Sequence, residues 1–255
     1  MVRIQWVFFD FGGTLVDIKP RLYREVARRI ASACGIALET LADVDTWVLQ
    51  LKDAEKTCLS HIAPDDLQKI NTDEAEHKFW LEHYCEVLGY LGVPRASWDD
   101  LAVDLAQMRE SPTSFYCFSD VWEILGYLQK KGVHSGIISN AFPSAEKILD
   151  YLGLKAWFKP VVLSYEEKSP KPDAGIYHRA VDLAKILPWE ALFVDDRPAF
   201  VVGAEAVQMH SLLLDRHGQY TWEGKKITTL NGLKSLLSDP VELSCVLSVG
   251  EGAWA

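Results

Sequence analysis

The polar residues of this chain that could do chemistry stand at the ends of apolar runs. In an open α/β sheet, the carboxyl ends of the strands form the ligand crevice. Asp10 closes the run that starts at Ile4 and is followed at once by Phe11-Gly12-Gly13-Thr14. A carboxylate there can act as nucleophile or metal ligand, and a glycine turn behind it bares backbone N–H groups to a phosphate. Ser139 closes Gly136-Ile137-Ile138, with Asn140 behind it, and Asp195-Asp196 close Leu192-Phe193-Val194. Adjacent carboxylates repel each other and need compensation, which Mg²⁺ supplies through hard oxygen ligands. Lys171 lies in Lys168-Ser169-Pro170-Lys171-Pro172-Asp173. Its ammonium is a compact point charge suited to neutralising oxyanions. Lys168 competes for that role, and Lys171 is preferred because Pro172-Asp173 opens a helix.

The elements that must position these groups alternate. Short apolar runs at Ile4–Asp10, His134–Ser139, Pro160–Ser164, Ala191–Asp195 and Ser211–Leu214 read as strands. Helical spacing marks Phe118–Lys131, Ser144–Leu152, Ala174–Leu187 and Ala199–Gln208. This alternation implies an α/β fold, a Rossmann-like parallel sheet covered on both faces. Residues 18–112 break the pattern and read as helices only: Arg21–Cys34, Val44–Leu59, Asp73–Gly89 and Trp98–Arg109. The expected organisation is a catalytic core of residues 1–17 and 113–239, an inserted all-helical cap of 18–112, and a C-terminal tail of 240–255.

Composition narrows the partners. A net charge of −10 argues against non-specific binding to nucleic acid or anionic lipid. A small phosphorylated metabolite would instead need local positive charge from lysines and a metal ion. The cysteines, Cys34, Cys58, Cys85, Cys117 and Cys245, are odd in number and scattered, with no zinc or redox spacing. Together with the absence of a signal-peptide pattern, this points to buried free thiols and a cytoplasmic location. No apolar run approaches the ~20 residues of a membrane span. Oligomeric state is not legible.

These motifs, in this order, resemble those of the haloacid dehalogenase superfamily of aspartate-nucleophile hydrolases, and the stretch after the first strand resembles its helical cap. The resemblance implies Asp10 as nucleophile, and Ser139 with its neighbouring N–H as binder of the transferring phosphoryl group. It implies Lys171 as the neutralising lysine and Asp195 as the group that orients a water or that lysine. Mg²⁺ would be held by Asp10, Asp196 and the Gly12 carbonyl. Gly13, Thr14, Asn140 and Lys19 are expected against the substrate, and Arg197 in a structural role. The cap is expected to close over the substrate and set specificity.

The sequence departs from the family in one place. Family phosphatases carry a second Asp two residues after the nucleophile, as general acid/base, and this chain has Gly12. Three readings follow. The first is an Mg²⁺-dependent phosphomonoesterase whose acid comes from elsewhere, with Asp17, Lys19 and His61 as candidates, or whose substrate has a good leaving group. The second is a carbon-directed hydrolase: a dehalogenase, or a phosphonate-cleaving enzyme using Lys52 or Lys56 as a Schiff-base lysine. The third is a binding protein of little turnover, with Trp47 and Trp98 facing a partner.

Overall fold

The computed structural model describes residues 4–62 and 64–238; the expected tail of residues 240–255 and Cys245 lie outside them. The chain divides into two compact units. One comprises residues 4–17, 117–141 and 153–238, the other residues 18–116 and 142–152.

The first unit is built on a six-stranded sheet. In chain order its strands are β1 (Trp6–Phe9), β4 (His134–Ser139), β5 (Val161–Leu163), β6 (Ala191–Asp195), β7 (His210–Leu214) and β8 (Lys226–Ile227). They lie side by side as β5-β4-β1-β6-β7-β8, all parallel. β1 is central and pairs Phe8 with Gly136 on one side and Phe193 on the other. It is buried on both faces, as the unbroken apolar run Val7-Phe8-Phe9 requires. Gly136 is dictated by this packing. A Cβ there would meet the Phe8 ring at 2.6 Å and the Pro160 carbonyl at 2.9 Å.

The helices of this unit are α6 (Val121–Lys131), α8 (Ser164–Glu167), α9 (Ala174–Ala184), α10 (Pro198–Ala206) and α11 (Leu233–Ser238). Two are shorter than their periodicity suggests. α6 starts at Val121 because residues 118–120 form a turn, with the Phe118 N–H bound to the Leu15 carbonyl. α9 stops at Ala184 because Lys185 takes a left-handed conformation, φ 56°, that caps it. Three strands carried no readable signal. β8 is two residues long, and β2 (Val16–Ile18) and β3 (Phe115–Cys117) form a separate two-stranded sheet.

The second unit holds α1 (Pro20–Ala33), α2 (Leu41–Ser60), α3 (Pro64–Leu67), α4 (Asp73–Tyr90), α5 (Trp98–Glu110) and α7 (Ser144–Tyr151). α1 packs on α2, α2 on α4, α4 on α5 and α5 on α1. Thr40 and Asp43 start α2 with a reciprocal capping box, and Thr72 caps α4. The interior is mostly apolar, with Glu55, Glu76 and His83 buried in it. Glu55 accepts hydrogen bonds from Tyr84 Oη and Arg109 Nη2, each at 2.8 Å, and Arg109 Nε donates to Tyr84 Oη. Burial of such a pair is tolerable only because each charge is bonded. Trp47 and Trp98 pack partly buried against this core, and Trp98 Nε1 donates to the Val93 carbonyl. Among the described residues no helix is long and apolar enough to cross a membrane.

Candidate active site

β1, β4 and β6 are adjacent and parallel, so their carboxyl ends bring Asp10, Ser139 and Asp195 to one edge of the sheet. Lys171 arrives from the loop before α9, and its fully buried ammonium sits between two acids. It lies 2.6 Å from Asp10 Oδ1 and 2.6 Å from Asp195 Oδ2. Ser139 Oγ donates to the same Asp10 oxygen at 2.9 Å. The Arg197 N–H donates to Asp195 Oδ1 at 2.8 Å. The Phe193 and Phe200 rings flank the ammonium, with centroids 5.2 and 4.8 Å away. Lys168, the competing lysine, is exposed at the left-handed cap of α8.

Asp10, Asp195 and Asp196 each offer a carboxylate oxygen within 4.8 Å of the others. Burial pushes the Asp195 carboxyl up to about 6, an effect that Lys171 opposes and Asp10 reinforces. Burial and the neighbouring acids push Asp196 up to about 7. Burial works against the Lys171 ammonium, but the attraction of Asp10 and Asp195 outweighs it and holds its pKa above the ordinary lysine value. Three carboxylates facing one ammonium leave two negative charges unbalanced. A hard divalent cation on oxygen ligands balances them, so this donor set fits Mg²⁺.

The loop after Asp10 is closed by an isolated parallel bridge between Gly12 and Val16. Its bonds run from the Gly13 N–H to the Val16 carbonyl and from the Val16 N–H to the Phe11 carbonyl. The N–H and carbonyl of Gly12 take no part in it. Gly12 is exposed, and a Cβ placed on it would meet nothing within 4 Å. Gly13 is the opposite case. Its φ of 80° and a 2.6 Å approach of a built Cβ to Asp196 Oδ2 both demand glycine.

The residues expected against the substrate make the following contacts within the protein. The Gly13 N–H is bonded within the loop rather than bared. Thr14 is fully buried, and its carbonyl accepts from Arg216 Nη2 at 2.8 Å. Asn140 clasps the Lys171 backbone, donating to its carbonyl at 2.9 Å and accepting its N–H at 2.7 Å. Lys19 belongs to the helical unit and donates to the Thr113 carbonyl at 2.6 Å. Of the other lysines considered, Lys52 sits over the Tyr23 ring, 4.6 Å from its centroid, and Lys56 is exposed.

Arg216 was not found from the sequence. It pairs with both Asp120 oxygens at 2.9 and 3.0 Å while holding Thr14. The available signal was its position in Asp215-Arg216-His217, directly behind the last residue of β7.

Comparison with known proteins places this site in context. A family model described as haloacid dehalogenase-like hydrolase matches residues 4–207. Human haloacid dehalogenase-like hydrolase domain-containing protein 3 is 30% identical over 84% of this chain and 82% of its own length. Its bovine counterpart matches at 30% over 54% of this chain, a match spanning 56% of the bovine protein. The glyceraldehyde 3-phosphate phosphatase of Pyrococcus furiosus is 29% identical over 86% of this chain and 84% of its own length. Among solved structures, the L-2-haloacid dehalogenase of Xanthobacter autotrophicus superposes with a TM-score of 0.64 at 18% identity, covering 93% of this chain and 99% of that one. YfnB of Bacillus subtilis, bound to magnesium, superposes with a TM-score of 0.64 at 15% identity, covering 93% and 100%. At these identities the two structures speak to fold alone.

Proposed function

We infer the reaction from one premise: the chain belongs to the haloacid dehalogenase-like hydrolase family. The reading we propose is a phosphomonoesterase that works through an aspartyl-phosphate on Asp10 and requires Mg²⁺. The observation that carries it is the cluster of Asp10, Asp195 and Asp196 within 4.8 Å, short of positive charge by two. Carbon–halogen displacement has no need of that cluster, because halide leaves as an anion unaided. Phosphoryl transfer does need it, since catalysis of that class is mostly positioning and charge stabilisation.

In this reading Asp10 attacks phosphorus in line, the ester oxygen leaves, and water then cleaves the acyl phosphate. Lys171 neutralises Asp10 as it approaches the anionic substrate and afterwards faces the equatorial oxygens. Asp195 holds that ammonium in place, and the Arg197 N–H holds Asp195. Ser139 orients the attacking carboxylate and presents its hydroxyl to the phosphoryl group. Asp10, Asp196 and the Gly12 carbonyl would hold Mg²⁺, which when bound supplies charge neutralisation at the phosphate oxygens. The Pyrococcus relative supports a small phosphorylated metabolite as substrate. Gly12 gives the leaving oxygen no proton, so turnover is fastest where the leaving group needs none.

The test is hydrolysis of an aryl phosphate with and without Mg²⁺, by wild type and by Asp10→Asn. The expected result is metal-dependent turnover that Asp10→Asn abolishes. No turnover at high protein concentration would support the binding protein. Metal-independent release of halide from a 2-haloacid would support the carbon-directed hydrolase.

A further inference from the structure

The core unit encloses an ion pair to which the phosphoryl chemistry gives no task. The side chains of Arg216 and Asp120 are 11% and 9% exposed. The guanidinium bonds both Asp120 oxygens, at 2.9 and 3.0 Å, and its Nη2 also donates to the Thr14 carbonyl at 2.8 Å. The Phe118 ring centroid lies 3.9 Å away, and Asp120 accepts the Leu230 N–H at 2.8 Å. Stability alone does not call for such a pair, because apolar residues of similar volume often serve as well. Its value lies in what it holds, which is the loop after Asp10.

That loop is closed on itself. The Gly13 N–H bonds the Val16 carbonyl, and the N–H groups of Leu15 and Val16 both bond the Phe11 carbonyl. Its fixed points are therefore the next carbonyls along: Thr14 to Arg216, and Leu15 to the Phe118 N–H at 3.1 Å. One residue before Thr14, the loop rests against the acid cluster. A Cβ built on Gly13 would stand 2.6 Å from Asp196 Oδ2. A slip of the loop would therefore change the spacing between the Gly12 carbonyl and Asp196.

We propose that Arg216 is a positioning residue for the cation site: by holding the Thr14 carbonyl it fixes the Gly12-Gly13 turn against Asp196. The inference deepens the phosphomonoesterase reading and rests on it, since that reading supplies the cation. The effect falls on the metal rather than on the nucleophile, because Asp10 is held separately by its N–H to the Val194 carbonyl at 2.9 Å. The residue type fits the task. A planar guanidinium can fork to a carboxylate and donate to a carbonyl at once, whereas an ammonium is a point charge without that fixed geometry. Electrostatics alone would act in the opposite sense. Losing a positive charge near the acids would tighten a cation, so weakened binding reports lost position.

The test is Mg²⁺ titration calorimetry on wild type, Arg216→Lys and the double variant Asp120→Leu/Arg216→Met. The first variant keeps the charge and loses the fork. The second removes one charge of each sign, leaving net charge unchanged, and replacing both partners of a buried pair by apolar residues is often neutral for stability. Melting curves show that each is folded. Both should bind Mg²⁺ about tenfold more weakly than wild type, the scale expected when a group supporting a metal ligand is lost. Wild-type affinity in either folded variant would overturn the positioning role and leave the phosphatase reading intact. A wild type that binds no Mg²⁺ would overturn both.

Discussion

Restoring the absent carboxylate should make this enzyme faster on difficult substrates. The perturbation is Gly12→Asp. Its structural penalty is small: the added Cβ has open space around it, Gly12 is not among the positive-φ residues, and the Gly12–Val16 bridge uses only backbone groups of its neighbours. Replacing glycine where no strain results even stabilises slightly, by restricting the unfolded chain. The electrostatic penalty is larger, because a fourth carboxylate joins a cluster with one ammonium. A like-charged pair ~6 Å apart costs ~3 kcal/mol at an effective dielectric constant of ~20. That repulsion favours the protonated form, which is the form a general acid needs. Protonating the leaving group contributes ~10²–10⁴-fold, or ~3–5 kcal/mol of barrier. We expect a gain of about 10- to 10³-fold in kcat on alkyl phosphates at saturating Mg²⁺. On aryl phosphates, whose leaving groups need little protonation, the gain should stay below about threefold. The assay is inorganic phosphate release from matched alkyl and aryl esters, with melting curves to show that the variant is folded. A folded variant with unchanged or reduced alkyl turnover would refute the reasoning. It would mean that an acid is already in place or that the chemistry requires Gly12 to stay small.

Other consequences follow from the same structure. Asp196→Ala should weaken Mg²⁺ binding at least tenfold by titration calorimetry, and equal binding would remove Asp196 from the metal site. Asp195 and Asp196 have carboxyl pKa values raised on folding, so their contribution to stability is present at low pH and is lost as pH rises through about 6 to 7. Added Mg²⁺ should therefore raise Tm more at pH 8 than at about pH 5.5, and equal shifts would count against the acid cluster as its site. His83 behaves in the opposite sense. Burial lowers its pKa to about 4, and neither ring nitrogen has a partner. The unfolded chain then binds more protons between pH 4 and 6.5, so stability falls with pH, by about 2 kcal/mol from pH 6.5 to 5. Urea unfolding of wild type and His83→Phe should show that slope only in wild type.

The strand-end residues were legible because they sit where a periodicity stops. A buried parallel strand must be apolar throughout, so the first carboxylate behind it stands out: Asp10, Asp195 and, with a hydroxyl in place of a carboxylate, Ser139. The helical insertion was legible for the matching reason, since residues 18–112 keep a helical spacing without strand-like runs. What stayed hidden depends on partners distant in sequence. Nothing near Asn140 says that its amide will clasp the backbone of Lys171, and nothing near Thr14 says that its carbonyl will be held from Arg216. Nothing near Thr14 says, either, that it will be fully enclosed. The short strands β2, β3 and β8 were hidden because two or three residues do not establish a period.

Lys171 shows how a buried charge is kept in place. Burying an ammonium without partners would lower its pKa and empty it of charge. Here two carboxylates at 2.6 Å keep it charged, and two aromatic rings close around it. Its backbone is clamped on both polar groups by Asn140, which fixes where the side chain starts. The ammonium bonds Asp10 and Asp195, and among the described residues no cation lies as close to Asp196. That asymmetry assigns different duties to neighbouring residues of the same type. In the proposed phosphomonoesterase Asp195 would support the lysine, while Asp196, beside a glycine whose missing Cβ leaves room for its carboxylate, would help to hold the divalent cation.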